Sequence, residues 1–272
     1  MPPFQELAVF ALALIAAGAV AGLLAGLFGV GGGAILVPVF YQVYGLFGVP
    51  EAVRTHVAVG TSLAIIVPTS IRSFHAHWKR GAVDMDILRN WTIWVPLGTI
   101  CAPVIAAYIA GRELRIIFAV LSLLIAIRMF LNRQHWRLGD DVPKGVANTA
   151  AGFGIGLFSG LMGIGGGVMS NLWMTLFGKT VHQSVATSSG VGVLISIPGL
   201  IGYIWAGWGA SGLPPFSTGF VNWITVALVM PLTLYVAPYG VRLAHSLSRR
   251  QLEIGFGLFL TAVSIRFFVS LS

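Results

Sequence analysis

One glycine-rich octapeptide, Gly26-Leu27-Phe28-Gly29-Val30-Gly31-Gly32-Gly33, interrupts the first long apolar run of the chain. A second copy, Gly160-Leu161-Met162-Gly163-Ile164-Gly165-Gly166-Gly167, interrupts another such run at an offset of 134 (residue 160 against residue 26). Each glycine inside a helix costs about 1 kcal/mol relative to alanine, because its unfolded backbone has more freedom to lose. Clusters of them in apolar runs mark broken helices, and a chain that breaks twice at matching places has been duplicated.

Three further blocks carry the duplication through the chain. His56-x4-Thr61-Ser62 matches His182-x4-Thr187-Ser188. Pro96-Leu97 and Ala102-Pro103 match Pro231-Leu232 and Ala237-Pro238. Leu114, Ile116, Phe118, Ile127, Arg128 and Phe130 match Leu252, Ile254, Phe256, Ile265, Arg266 and Phe268. The blocks are collinear, so the expected organisation is a repeat over residues 1–139 and another over 140–272.

The environment of these runs follows from charge. Only 9% of the 272 residues are charged and 57% are hydrophobic, against about 25% charged in a soluble domain. Apolar runs of membrane-spanning length recur throughout. The fold class expected is an all-α polytopic membrane protein of about ten helical segments, in two inverted five-segment repeats with broken glycine-rich helices. The segments read as 5–29, 33–48, 51–74, 86–110 and 113–132, then 144–163, 167–178, 181–207, 218–245 and 250–270. The second of each half falls short of membrane length, which leaves open a full span or a re-entrant hairpin.

The net charge of +8 would suggest nucleic acid in a soluble protein. Here Lys79, Arg80, Arg89, Arg133, Arg137, Lys144, Arg249 and Arg250 lie in three loops, as the positive-inside rule predicts. Five crossings per half, with the N-terminus outside, put all three loops in the cytoplasm. Re-entrant second segments, with four crossings per half, would set the 75–89 and 246–250 loops on opposite sides. Five fit better, and an odd number inverts the second repeat. Arg112 and Arg115 fall on the other side. Cys101 stands alone, so no internal disulfide forms.

Chemistry is expected at three places. At the breaks, Gly29, Gly31, Gly32 and Gly33, with Gly163, Gly165, Gly166 and Gly167, would free main-chain N–H groups at helix N-termini, a ready anion site. Thr61, Ser62, Thr187, Ser188 and Ser189 offer hydroxyls on the third segment of each half, where the plainer reading is helix–helix hydrogen bonding. His56, His182, Arg54, Arg72 and Lys179 are candidates for coupling or gating, against simple snorkelling to the interface. All eight acidic residues lie at segment ends or in loops. A buried-carboxylate cation site therefore has no members, and the substrate is expected to be an anion. No metal-ligand spacing, phosphate loop or dinucleotide fingerprint is present, and no cofactor is expected. Gly18, Gly22, Gly152 and Gly156 read as packing faces.

The paired glycine blocks, each followed by an Ala/Val-rich Thr-Ser helix, together with Gly81-Ala82-Val83-Asp84 and the Arg249-Arg250 turn, resemble the TauE/SafE family of sulfite exporters, also called the toluene sulfonate uptake permease family. The resemblance covers almost the whole chain. It implies secondary transport of small sulfur-containing anions (sulfite, thiosulfate, organosulfonates or sulfur-carboxylates) across a bacterial inner membrane, with the breaks and Thr-Ser pairs as the binding wall. Ala186 stands where the first copy has Gly60, so the two hydroxyl clusters differ. A passive anion channel is the alternative, and an intramembrane enzyme using Ser188 and His182 a weaker one. Self-association is left open.

Overall fold

In a computed structural model that describes residues 4–28, 32–131 and 138–270, ten helices account for most of the described residues. They are α1 (Phe4–Phe28), α2 (Gly33–Leu46), α3 (Glu51–Lys79), α4 (Met85–Tyr108), α5 (Gly111–Leu131), α6 (Val146–Met162), α7 (Gly167–Leu176), α8 (Val181–Ala206), α9 (Trp223–His245) and α10 (Arg249–Val269). A two-stranded hairpin, β1 (Ser217–Thr218) and β2 (Val221–Asn222), precedes α9. Among the described residues six helices, α3, α4, α5, α8, α9 and α10, are long and apolar enough to cross a membrane.

The ends of the bundle are defined by contacts. At one end the starts of α3 and α5 meet the end of α10: Thr55 donates to Gly111 O at 3.2 Å, and Arg115 donates to Ser270 O. At the other, the start of α4 meets the α7–α8 loop through Lys179 and Asp84, and the start of α10 meets the end of α5 through Arg250 and Phe130 O. We call these the Glu51 end and the Asp84 end.

The glycine-linked pairs do not cross. A Cβ at Gly18 would meet Val229, and one at Gly22 would meet Thr233, so α1 runs parallel to α9 from the Glu51 end. α2 returns there, with Tyr41 against Arg115. In the second half, a Cβ at Gly152 would meet Trp91 and one at Gly160 would meet Ala102, so α6 runs parallel to α4 from the Asp84 end. α7 returns to it, with Leu176 O accepting from Leu138 N. Each half is thus a hairpin followed by three through-helices, rather than five crossings. Three and five are both odd, so loop charge could not separate the two arrangements.

Two boundaries also differ from expectation. α3 runs on through His75 and His77 to Lys79, because nothing breaks it before Gly81, whose φ is 65°. α9 starts at Trp223 rather than 218, because residues 217–222 fold as the β-hairpin, with Val221 and Asn222 buried.

The expected packing role of the helix glycines is plain at the α4–α6 contact. A Cβ at Gly156 would fall on Val95 O and lie 3.1 Å from Thr99 N, whereas Gly154 faces open space. Thr99 reinforces the approach by donating to Gly156 O at 3.3 Å. Gly156→Ala is therefore expected to lower stability by about 1–3 kcal/mol through overpacking. Gly154→Ala, with room for its methyl, should be neutral or stabilising by up to about 1 kcal/mol. Denaturant unfolding of the two variants in detergent checks the contrast.

Candidate functional site

Backbone geometry at the two breaks sets the site. α6 stops at Gly163, which takes φ 64°, and α7 starts after Gly166, at φ 73°. Both angles are left-handed, a conformation side chains disfavour and glycine tolerates. α2 likewise starts after Gly32, at φ 82°. Gly29 and Gly31 lie outside the described residues.

The breaks touch. A Cβ at Gly33 would fall on Gly163 O and lie 2.7 Å from Ile164 Cα. Ser62 Oγ donates to Gly163 O at 2.9 Å, holding one of the carbonyls released where α6 ends. Ile66 packs against Gly165, and Val191 and Ile195 against Gly166. No carboxylate is among these residues. Neither N-terminus carries a side-chain cap, whereas α4, α8 and α10 are capped by Asp84, Thr180 and Ser248. α2 and α7 therefore begin inside the bundle, aimed from opposite ends, with their first-turn dipoles converging.

The hydroxyls do not converge with them. Thr61 Oγ1 accepts from Asn222 N at 3.0 Å and lies 3.4 Å from Tyr44 Oη, toward the Glu51 end. Thr187 Oγ1 accepts from Asp84 N at 2.9 Å, at the Asp84 end. Ser188 donates to Val185 O and Ser189 to Ala186 O, each turning back along α8. Only Ser62 of the five reaches a break.

The charged and histidine candidates are scattered. His56 is buried, with Nε2–H donating to Ala106 O at 2.9 Å and its ring stacked on Phe220 at 4.9 Å. Its repeat counterpart His182 is exposed. Arg54 donates twice to Val49 O and lies over Tyr41, closing the turn between α2 and α3. Arg72 is exposed. Lys179 pairs with Asp84 at 3.1 Å and Asp141 at 3.0 Å. Burial works against the Lys179 charge, but the two carboxylates outweigh it and hold its pKa above the ordinary lysine value. The hydrogen bond from Lys179, with one from Val142 N and the lysine charge, holds the Asp141 carboxyl below the usual carboxylate range.

Three residues that organise this region were not singled out from sequence: Tyr44, Asn222 and Thr225. Asn222 Oδ1 accepts from Thr225 N at 2.9 Å and from Thr225 Oγ1 at 2.8 Å, capping the start of α9. Tyr44 Oη donates to Thr225 Oγ1 at 3.0 Å. An asparagine at the head of an apolar run is a helix-start signal. It was hidden because residues 218–222 read as the helix itself.

The family model described as Sulfite exporter TauE/SafE matches residues 14–267. A probable membrane transporter protein of Haemophilus influenzae is 32% identical over 270 residues, covering 96% of this chain and 98% of that protein. One from Methanocaldococcus jannaschii is 30% identical over 249 residues, covering 89% of each. The probable membrane transporter protein YunE of Bacillus subtilis is 25% identical over 258 residues, covering 88% of each. No solved structure matches the chain.

The ion cluster makes a signed prediction. Asp141 is depressed, so its contribution to stability is present above the usual carboxylate range and lost as pH falls through its lowered pKa. Lys179 is raised, so its contribution is present below the usual lysine pKa and lost as pH rises through its raised one. In Lys179→Met the Asp141 midpoint should move up toward the ordinary carboxylate value. Isotope-edited infrared titration reads this directly, and an unmoved midpoint would contradict the assignment.

Proposed function

The chain belongs to the sulfite exporter TauE/SafE family, and from that premise we propose a secondary transporter that moves small sulfur-containing anions across the bacterial inner membrane by alternating access. That it is a multi-pass membrane protein of a transporter family is the floor of this reading. The observation that carries the rest is the contact of the two breaks, with two uncapped helix N-termini opposed across it. Main-chain N–H groups at Gly32–Gly33 and Gly165–Gly167 would hold the anion by hydrogen bonds and dipole, with Ser62 as wall. Gly29 and Gly31 join this loop by sequence. Paired broken segments from opposite sides, meeting inside the membrane, are the arrangement inverted-repeat carriers use for substrate.

Packing supports the repeats at 1–139 and 140–272. α1 lies on α9 as α6 lies on α4, and α2 lies on α3 as α7 lies on α8. α3 pairs with α8 and α5 with α10. Each relation maps onto another when the halves are exchanged. Charge supports the orientation: Lys79, Arg80, Arg89, Lys144 and Arg250 gather at the Asp84 end, which is then cytoplasmic, and the N-terminus outside.

Proteoliposome flux with sulfite, sulfate, thiosulfate and a small sulfonate tests the reading. Saturable uptake with counterflow of at least one sulfur anion is expected. Gly33→Ala should slow it roughly tenfold or more, the effect of about 1.4 kcal/mol of misfit at the crossing. Absence of flux for all four anions, or single-channel conductance far above carrier turnover, would overturn it.

A further inference from the structure

The two Thr hydroxyls that stand apart from the breaks share one structural relation. Thr61, on α3, accepts the main-chain N–H of Asn222, the residue that caps α9. Thr187, on α8, accepts the main-chain N–H of Asp84, the residue that caps α4. Each is therefore a bond from the third long segment of one half to the first turn of the fourth segment of the other. Both acceptors are fully buried, where a main-chain N–H left without a partner costs about 1–3 kcal/mol.

A second strand runs beside each bond, from the short arm of the hairpin. At the Glu51 end, Tyr44 near the end of α2 donates to Thr225 in the first turn of α9, and its hydroxyl lies 3.4 Å from Thr61 Oγ1. At the Asp84 end, Lys179 just past α7 pairs with the Asp84 cap of α4. By the repeat offset Tyr44 matches Gly178, the neighbour of Lys179 (44 + 134 = 178). The Thr61 bond is thus backed by neutral hydroxyl and amide groups and the Thr187 bond by an ion cluster, on the same framework. Thr61 is followed in sequence by Ser62, which bonds to the second break.

We propose that Thr61 and Thr187 are positioning residues of the transport cycle. Each clamps the first turn of the opposite half's fourth helix across one end of the crossing, so that release of one clamp exposes the breaks to one side only. The inference rests on the transporter reading. Both clamps are made in this structure. Opening at the Glu51 end requires α9 to leave Thr61 and Tyr44. Opening at the Asp84 end requires α4 to leave Thr187 and Lys179.

Hydrogen exchange by mass spectrometry on the full chain in nanodiscs, without substrate, tests the clamps separately from transport. Thr61→Val keeps the side chain's shape and removes the acceptor. It should speed exchange of residues 222–225 roughly two- to tenfold, the equivalent of one net hydrogen bond, and leave 84–88 unchanged. Thr187→Val should do the reverse, and Thr61→Ser and Thr187→Ser should restore the wild-type pattern. In proteoliposomes of known orientation, the two valine variants should shift the ratio of influx KM to efflux KM in opposite directions. Should a valine variant not fold, Tyr44→Phe removes the outer strand of one clamp and Lys179→Met that of the other together with the Asp141 pair, and both carry the same sided expectations. Loosening of both segments by either variant, same-direction KM shifts, or valine and serine variants behaving alike would overturn the proposal. Wild-type protein that carries no anion while the exchange pattern holds would instead overturn the transporter reading.

Discussion

Everything in this bundle is arranged around a contact that no side chain larger than hydrogen permits. The α carbon of Gly33 sits against the main chain of Gly163 and Ile164, with a Cβ there falling on a carbonyl oxygen. In a lipid environment interrupted backbone is tolerated only where protein or a cavity satisfies its polar groups. Each break lies in the shelter of the other, with Ser62 holding Gly163 O. The two hairpins meet at this contact, and the six long helices pack around them.

Similar frameworks at the two ends carry different chemistry. At the Glu51 end Arg115 is buried and binds Tyr41, Ser270 and Glu51, while Tyr44, Thr61, Asn222 and Thr225 make an uncharged network. At the Asp84 end, Lys179 joins Asp84 and Asp141. Gly60 explains one departure between the halves: a Cβ there would fall on Phe220 O, so the β-hairpin approaches α3 at a place where its counterpart Ala186 carries a methyl. His56 and His182 differ for the same reason, since Phe220 covers the first and nothing comparable buries the second.

The glycine blocks were legible because a local property, loss of helix propensity, marks them directly. The number of helices and their apolar character were legible for the same kind of reason. What sequence could not convey was depth and direction. Hairpins and crossings give the same loop parity, so charge was silent between them. The roles of Thr61 and Thr187 were obscured by register: Asp84 stands 12 residues before Pro96, but Asn222 stands 9 before Pro231 (96 − 84 and 231 − 222). Aligning the prolines therefore hides the two capping residues from each other. A hydroxyl on an apolar helix reads equally well as ligand or as glue, and only its partner's identity decides.

Crystals soaked in selenite, a heavier analogue of sulfite with a strong anomalous signal, would locate the anion directly. A single dominant peak is expected beside the Gly33–Gly163 contact, within hydrogen-bond distance of main-chain nitrogens of Gly32–Gly33 or Gly165–Gly167 and reduced by competing sulfite. A dominant peak on Lys179 or Arg115, with none at the crossing of the two breaks, would contradict it.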